Sequence, residues 1–257
     1  MSQADMIDGV IDSHCHLDFK SFDRDRENVI RRAKAAGVKS IVNSGVDYLT
    51  NRRTLDLSRR YGSIYPTLGL SPNSVDRTGM SDLRITLNYI GEHADEINGV
   101  GEAGLDYYRC TDPGKRQKQK QIFQKVIDLA VASDLPLVIH ARHAEEEAFE
   151  MVRSLDKVVF HCYGGSLETM KHILERGFYV SLATTVCYSG HHQSLAKVVP
   201  LESLLLETDA PFLSPRRGRN EPSYVLDLLR RVAEIKEISP AKIAEVTAKN
   251  AERAFDL

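Results

Sequence analysis

Short apolar runs alternate with helix-period segments from one end of the chain to the other, and no other feature narrows its fold more. Strands are expected at Val10–Ser13, Lys39–Asn43, Ile64–Leu70, Pro136–His140, Lys157–His161, Phe178–Leu182 and Ser203–Leu206, with a short fourth strand held within Gly99–Leu105. Helices are expected at Arg24–Ala36, Leu49–Tyr61, Asp82–His93, Lys115–Ser133, Ala144–Leu155, Leu167–Arg176, Gln193–Val198 and Ser223–Ile235, with further helix over Ser239–Leu257. Lys115–Ser133 shows the period well: Ile122, Val126, Leu129 and Ala130 fall on one stripe. Gly37 is a usual stop for the first helix. Runs such as L-V-I-H and V-V-F-H are apolar on successive residues, as parallel strands covered on both faces are. Such alternation predicts a parallel α/β fold, and the count fits a (β/α)8 TIM barrel of about 250 residues. A doubly wound open sheet is the alternative, but no G-x-G-x-x-G opens a helix after the first strand and no P-loop pattern occurs. No break in composition marks a linker, so residues 1–257 read as a single domain.

Composition excludes several function classes. The 257 residues are 42% hydrophobic and 27% charged, an ordinary globular balance with room for a large core. A net charge of -2 supplies no global basic field, so a polyanionic substrate needs a local site. No apolar run approaches membrane-spanning length. The opening M-S-Q-A-D-M-I-D lacks the layout of a secretion signal. The default expectation is a cytoplasmic protein with no membrane contact and no obligate protein partner. Cys15, Cys110, Cys162 and Cys187 are scattered and read as reduced, mostly buried thiols. Cys15 and Cys162 each adjoin a histidine of interest, which leaves thiolate ligation as a lesser alternative.

The ionisable residues are not scattered. His14 and His16 sit at the C-terminal end of the first strand, and Glu102 follows the fourth. His140 ends the fifth, His161 ends the sixth, and Asp209 follows the eighth. In a barrel those ends form one rim, where active sites are built. Each has a plainer reading alone: H-x-H fits a half-exposed strand end, Glu102 can pair with an arginine, and D-A-P can be a turn. Together, four imidazoles and two carboxylates exceed what one tetrahedral zinc with an open position takes. They suit two divalent ions, which activate water and neutralise charge that develops in a transition state. Mixed nitrogen and oxygen ligation favours Zn, Mn, Fe, Co or Ni over an all-oxygen magnesium site. His191 and His192 are ambiguous, since S-G-H-H-Q fits an exposed loop.

In this order, D-S-H-C-H-L-D, G-E-A-G-L-D-Y-Y, L-V-I-H-A-R, F-H-C-Y-G-G, L-L-E-T-D-A-P-F and R-N-E-P form a specific set. Through them the chain resembles the TatD family of metal-dependent deoxyribonucleases over nearly its whole length. The resemblance implies a metallo-dependent hydrolase barrel that cleaves phosphodiester bonds in DNA, often from a strand end, and a role in DNA repair or breakdown. It implies that His14, His16, Glu102 and Asp209 hold one ion, and that Glu102 bridges to a second completed by His140 and His161. The ions would be Mg, Mn or Zn. Asp209 would orient or deprotonate the attacking water as general base. Arg142, Asn220 and Glu221 match positions of the family near substrate. Ser71 departs from it: G-L-S-P stands where G-V-H-P is usual, and that histidine faces substrate.

Other candidates keep two readings. Arg219 belongs to R-R-G-R-N-E-P, local positive charge beside the rim or a solvated loop. Tyr107 and Tyr108 can stack a base or plug the barrel mouth. The K-R-Q-K-Q-K run at Lys115–Lys120 reads as a solvated face. The leading functional expectation is a nuclease acting on single-stranded DNA or a strand end. A metallo-hydrolase of another bond, such as a D-aminoacyl-tRNA ester, uses the same water activation. A non-catalytic scaffold would more readily have lost a ligand.

Overall fold

A computed structural model describes residues 7–257; most of the segment searched above for a secretion signal lies outside the described residues. The strands are β1 (Val10–Cys15), β2 (Val38–Ser44), β3 (Ile64–Leu70), β4 (Gly99–Asp106), β5 (Leu137–Arg142), β6 (Val158–Phe160), β7 (Tyr179–Leu182) and β8 (Leu204–Leu206). They form one sheet in sequence order, each parallel to the next. The connecting helices are α1 (Arg26–Ala36), α2 (Tyr48–Arg60), α3 (Pro72–Arg77), α4 (Met80–Glu92), α5 (Pro113–Ala132), α6 (Glu145–Val152), α7 (Leu167–Glu175), α8 (Gly190–Val198) and α9 (Val225–Lys236). A last helix, α10 (Pro240–Phe255), follows α9. This is the (β/α)8 barrel that the alternation predicts.

Local chemistry sets the boundaries. Asp47 opens α2 with a capping box, its carboxylate accepting from Thr50 N–H while Thr50 Oγ1 accepts from Asp47 N–H. Ser166 and Ser239 cap α7 and α10. At the end of α1, Gly37 adopts φ 103°, and a Cβ there would lie 2.1 Å from the Ile7 carbonyl oxygen. Four expectations change. An unexpected helix, α3, occurs with Pro72 at its first position and Ser71 as its cap. Glu102 lies inside β4 rather than after it. His191 and His192 belong to the first turn of α8, not to a loop. Within Lys115–Lys120, Lys118 Nζ donates to the carbonyls of Val75 and Thr78, and Gln119 is buried, so this run is not wholly solvated.

One barrel seam is made differently from the rest. Beyond the end of β8, Asp209 N–H donates to the His14 carbonyl (3.0 Å) and His16 N–H to that of Ala210 (2.7 Å). Beneath them the buried Asp12 carboxylate accepts from Thr208 N–H (2.9 Å) and Thr208 Oγ1 (2.6 Å). At the opposite end, α10 closes the barrel. Its Ala248, Ala251 and Phe255 pack with Ile11, Val42, Val138, Val159 and Leu205. A larger apolar layer between the strands and the outer helices completes the core. Among the described residues, no helix is long and apolar enough to cross a membrane.

Candidate metal centre

Successive strand residues point to opposite faces, so residues two apart share one. Val42 and Ser44, Val138 and His140, Val159 and His161, and Leu205 and Glu207 are such pairs. The first of each packs in the layer closed by Phe255. The second stands one step nearer the C-terminal mouth and is polar, and these polar residues meet His14, His16 and Glu102 there.

Glu102 is the hub. Its Oε2 lies 3.3 Å from His14 Nε2, 3.3 Å from His16 Nε2 and 3.9 Å from His161 Nε2. Its Oε1 lies 3.4 Å from His140 Nδ1. Asp209 Oδ1 approaches His16 Nε2 at 3.4 Å. Glycines permit this crowding. Gly101 and Gly104 adopt φ 138° and 146°, and a Cβ on them would meet the carbonyl oxygens of Val138 at 2.4 Å and His140 at 2.0 Å. The pairing of β4 with both neighbours shifts register around Glu102.

Each imidazole faces a polar group on its other side. His16 Nδ1 donates to the Ser44 carbonyl (2.8 Å), which leaves Nε2 with a lone pair in the neutral ring. His14 Nδ1 meets Ser44 Oγ (3.1 Å). His140 Nε2 lies 3.3 Å from Asp106 Oδ2, and His161 Nδ1 lies 3.5 Å from Glu207 Oε1. Ser44, Asp106 and Glu207 were not among the expected site residues. The same alternation reveals them: Ser44 stands two residues after Val42, Asp106 four after Glu102, and Glu207 two after Leu205.

These residues fit divalent cations. Ligand atoms about 2.1 Å from a tetrahedral ion stand about 3.4 Å apart, close to the spacings around Glu102. His14/His16/Glu102, His14/His161/Glu207 and Glu102/His140/His161 each place three donor atoms within 4.8 Å of one another. His14 Nε2 is buried and has no hydrogen-bond partner among the described residues. Burial alone would raise the Glu102 carboxyl, yet His14 and His16 hold it well below its usual range. Burial, with His161 nearby, lowers His14. Burial would also lower His161, but Glu207 outweighs it and sets His161 at about 9. Asp12 rises to about 8 because it is wholly buried, against the opposing bonds from Thr208.

The expected ligands His14, His16, Glu102, His140, His161 and Asp209 thus share one cluster. The other candidates divide. Arg142 is exposed at the end of β5, its guanidinium 3.8 Å from the centroid of the Tyr108 ring. Ser71 is buried as the cap of α3. Tyr107 donates its hydroxyl to Glu147 (2.8 Å) and carries Arg116 over its ring. Arg219, Asn220 and Glu221 are not in the cluster. Arg219 pairs with Asp25 through both nitrogens (2.9 and 2.8 Å). Glu221 binds the guanidinium of Arg32 (2.6 Å). Asn220 is fully buried and donates to Thr184 Oγ1 and to the carbonyls of Thr208 and Phe212.

Comparison with known proteins identifies the family and matches the fold. The profile of the family described as TatD related DNase matches residues 11–256. An uncharacterized metal-dependent hydrolase of Methanocaldococcus jannaschii is 36% identical over 246 residues, spanning 95% of this chain and 96% of its own. The 3'-5' ssDNA/RNA exonuclease TatD of Salmonella typhimurium is 31% identical over 264 residues, spanning 96% and 99%. The crystal structure of YjjV, a TatD homolog from Escherichia coli, superposes with a TM-score of 0.90 at 28% identity, covering 98% of this chain and all of that one.

Proposed function

The chain belongs to the family of TatD related DNases, and from that premise we propose that its metal-dependent hydrolysis of DNA ester bonds runs from the end of a single strand, at a centre holding two divalent ions. The observation that carries this reading is the division of Glu102: Oε2 serves His14 and His16, while Oε1 serves His140. A carboxylate placed so can bridge two cations. His14, His16, Glu102 and Asp209 would hold one, and Glu102, His140 and His161 the other. When bound, such ions supply Lewis acidity that activates water and offsets charge developing on the phosphoryl group.

The protein's own groups set the rest. The side chain of Asp209 is 15% exposed, against 8% for Glu102, 2% for Asp106 and none for Glu207. It is therefore the carboxylate of the centre best placed to meet water arriving from the mouth. Its φ of 53°, which aspartate tolerates better than most residues, is held by the bond from its N–H to His14 O. Asp209 is assigned the orientation and deprotonation of the attacking water. Arg142 is exposed at the end of β5, and its planar fork suits a phosphate oxygen. A cytoplasmic task in DNA repair or turnover accompanies this proposal.

The test uses metal-stripped protein, added Mg, Mn or Zn, and single-stranded DNA labelled at either end. Metal-dependent shortening from one end is expected, and Asp209→Asn should keep the fold and lose nearly all turnover. Full activity in that variant would remove Asp209 from the mechanism. Internal cuts without end preference would overturn the exonucleolytic mode.

A further inference from the structure

Two exposed aromatic surfaces flank the centre, and the chemistry above uses neither. On the β8–β1 side, Phe212 is 48% exposed. Its N–H donates to the Asp209 carbonyl (2.9 Å), so it is anchored to the centre. Its ring meets Phe19 edge-on at 6.0 Å, and Phe19 stacks on His16 at 4.7 Å. On the β4–β5 side, Tyr108 is 55% exposed. It carries the Arg142 guanidinium on one face and the edge of His143 at 5.2 Å. In a barrel of eight strands in sequence order, β8 and β1 lie across the mouth from β4 and β5. The centre therefore lies between the two surfaces.

An unpaired nucleobase fits both. Each surface offers an aromatic face or edge beside groups suited to phosphate: the candidate centre on one side and Arg142 on the other. Base, phosphate and base recur in that order along a strand. A duplex keeps its base faces stacked inside the helix, whereas a single strand presents them to an aromatic platform. We propose that Phe212 and Tyr108 are stacking platforms for unpaired bases on the two sides of the scissile phosphate, and that they select single strands. This rests on the nuclease reading of the centre.

The experiment takes the full chain with Mn2+ and a short phosphorothioate-linked single strand, which resists turnover. The strand carries 2-aminopurine at its terminal nucleotide or at the next one, because stacking quenches this base. Phe212→Ala should abolish quenching at one position and Tyr108→Ala at the other. Each should weaken binding about tenfold, the scale of one base–aromatic stack. Phe212→Tyr and Tyr108→Phe should restore both signals. An abasic residue at the matching position should weaken the wild-type protein by the same factor and the matching alanine variant far less. Alanine variants that melt like wild type yet bind and quench unchanged would overturn the platforms. Cleavage of an ordinary strand without quenching at either position would also overturn them while leaving the nuclease reading intact. The expected quenching pattern without cleavage under any metal would do the reverse.

Discussion

At the scale of single residues, the centre depends on groups that sit behind the ligands. Glu207 is fully buried, accepts from Ser181 Oγ, and faces His161 Nδ1. Asp106 plays the same part for His140 while accepting from Arg109 N–H. Such partners orient an imidazole and raise its basicity, and their loss typically costs 10–100-fold in metal affinity. Glu207→Gln and Asp106→Asn should each weaken metal binding by about that range, read by titration with a chelating dye. Unchanged affinity would make them structural only. Protons compete with cations for the same nitrogens. Since Glu207 holds His161 at about 9, wild-type affinity should rise as pH increases towards that value. In Glu207→Gln the proton is held less tightly, so the rise should end at lower pH. The six expected residues were legible as a cluster because each is a strong donor within or just beyond a strand. Ser44 and Glu207 were not sought, since their roles exist only once alternation is applied to the actual strand register.

At the scale of elements, the loop between β8 and α9 shows why spacing alone misleads. In the sequence, Arg219 reads as positive charge beside the rim or as a solvated loop, and Asn220 and Glu221 match family positions near substrate. In the fold, Arg219 and Glu221 tie this loop to α1 through Asp25 and Arg32, the latter across 189 residues of chain. No local pattern announces a pairing of that span. Burial would raise the Glu221 carboxyl, but Arg32 and Ser223 outweigh it and hold it below its ordinary 4.5. The unfolded chain then binds the proton more readily than the native one, so the pair's stabilisation is present above pH 4.5 and fades as pH falls through the depressed native value. Glu221→Gln should therefore be less stable than wild type at pH 7, by about 1 kcal/mol for a pair whose arginine is half-exposed. The gap should close in acid. Urea unfolding of both proteins at the two pH values measures it, and a gap independent of pH would mean that charge is not what the pair contributes.

For the whole molecule, the strand–helix alternation made the barrel legible, because only a sheet covered on both faces accepts such apolar strands. The means of closure was not legible. The β8–β1 seam rests on Asp12, Thr208 and two backbone bonds beside His14 and Asp209, and no short stretch of sequence encodes it. The proposed ligands come from β1 and the residue that follows it, from β4 and β5, from the residue that follows β6, and from the segment beyond β8. A cation held by them ties both sides of that seam, and it binds the native chain far better than the unfolded one. Metal at about 100 times its dissociation constant then stabilises by about 2.7 kcal/mol. For a chain of this length, about 2–4 °C per kcal/mol converts this to a rise in Tm of about 5–11 °C over the stripped protein. Glu102→Ala removes the hub from both proposed ion positions, so its Tm should respond little to added metal and elemental analysis should find it depleted. Equal melting of stripped and loaded wild type, or full occupancy in Glu102→Ala, would show that the ions are held elsewhere.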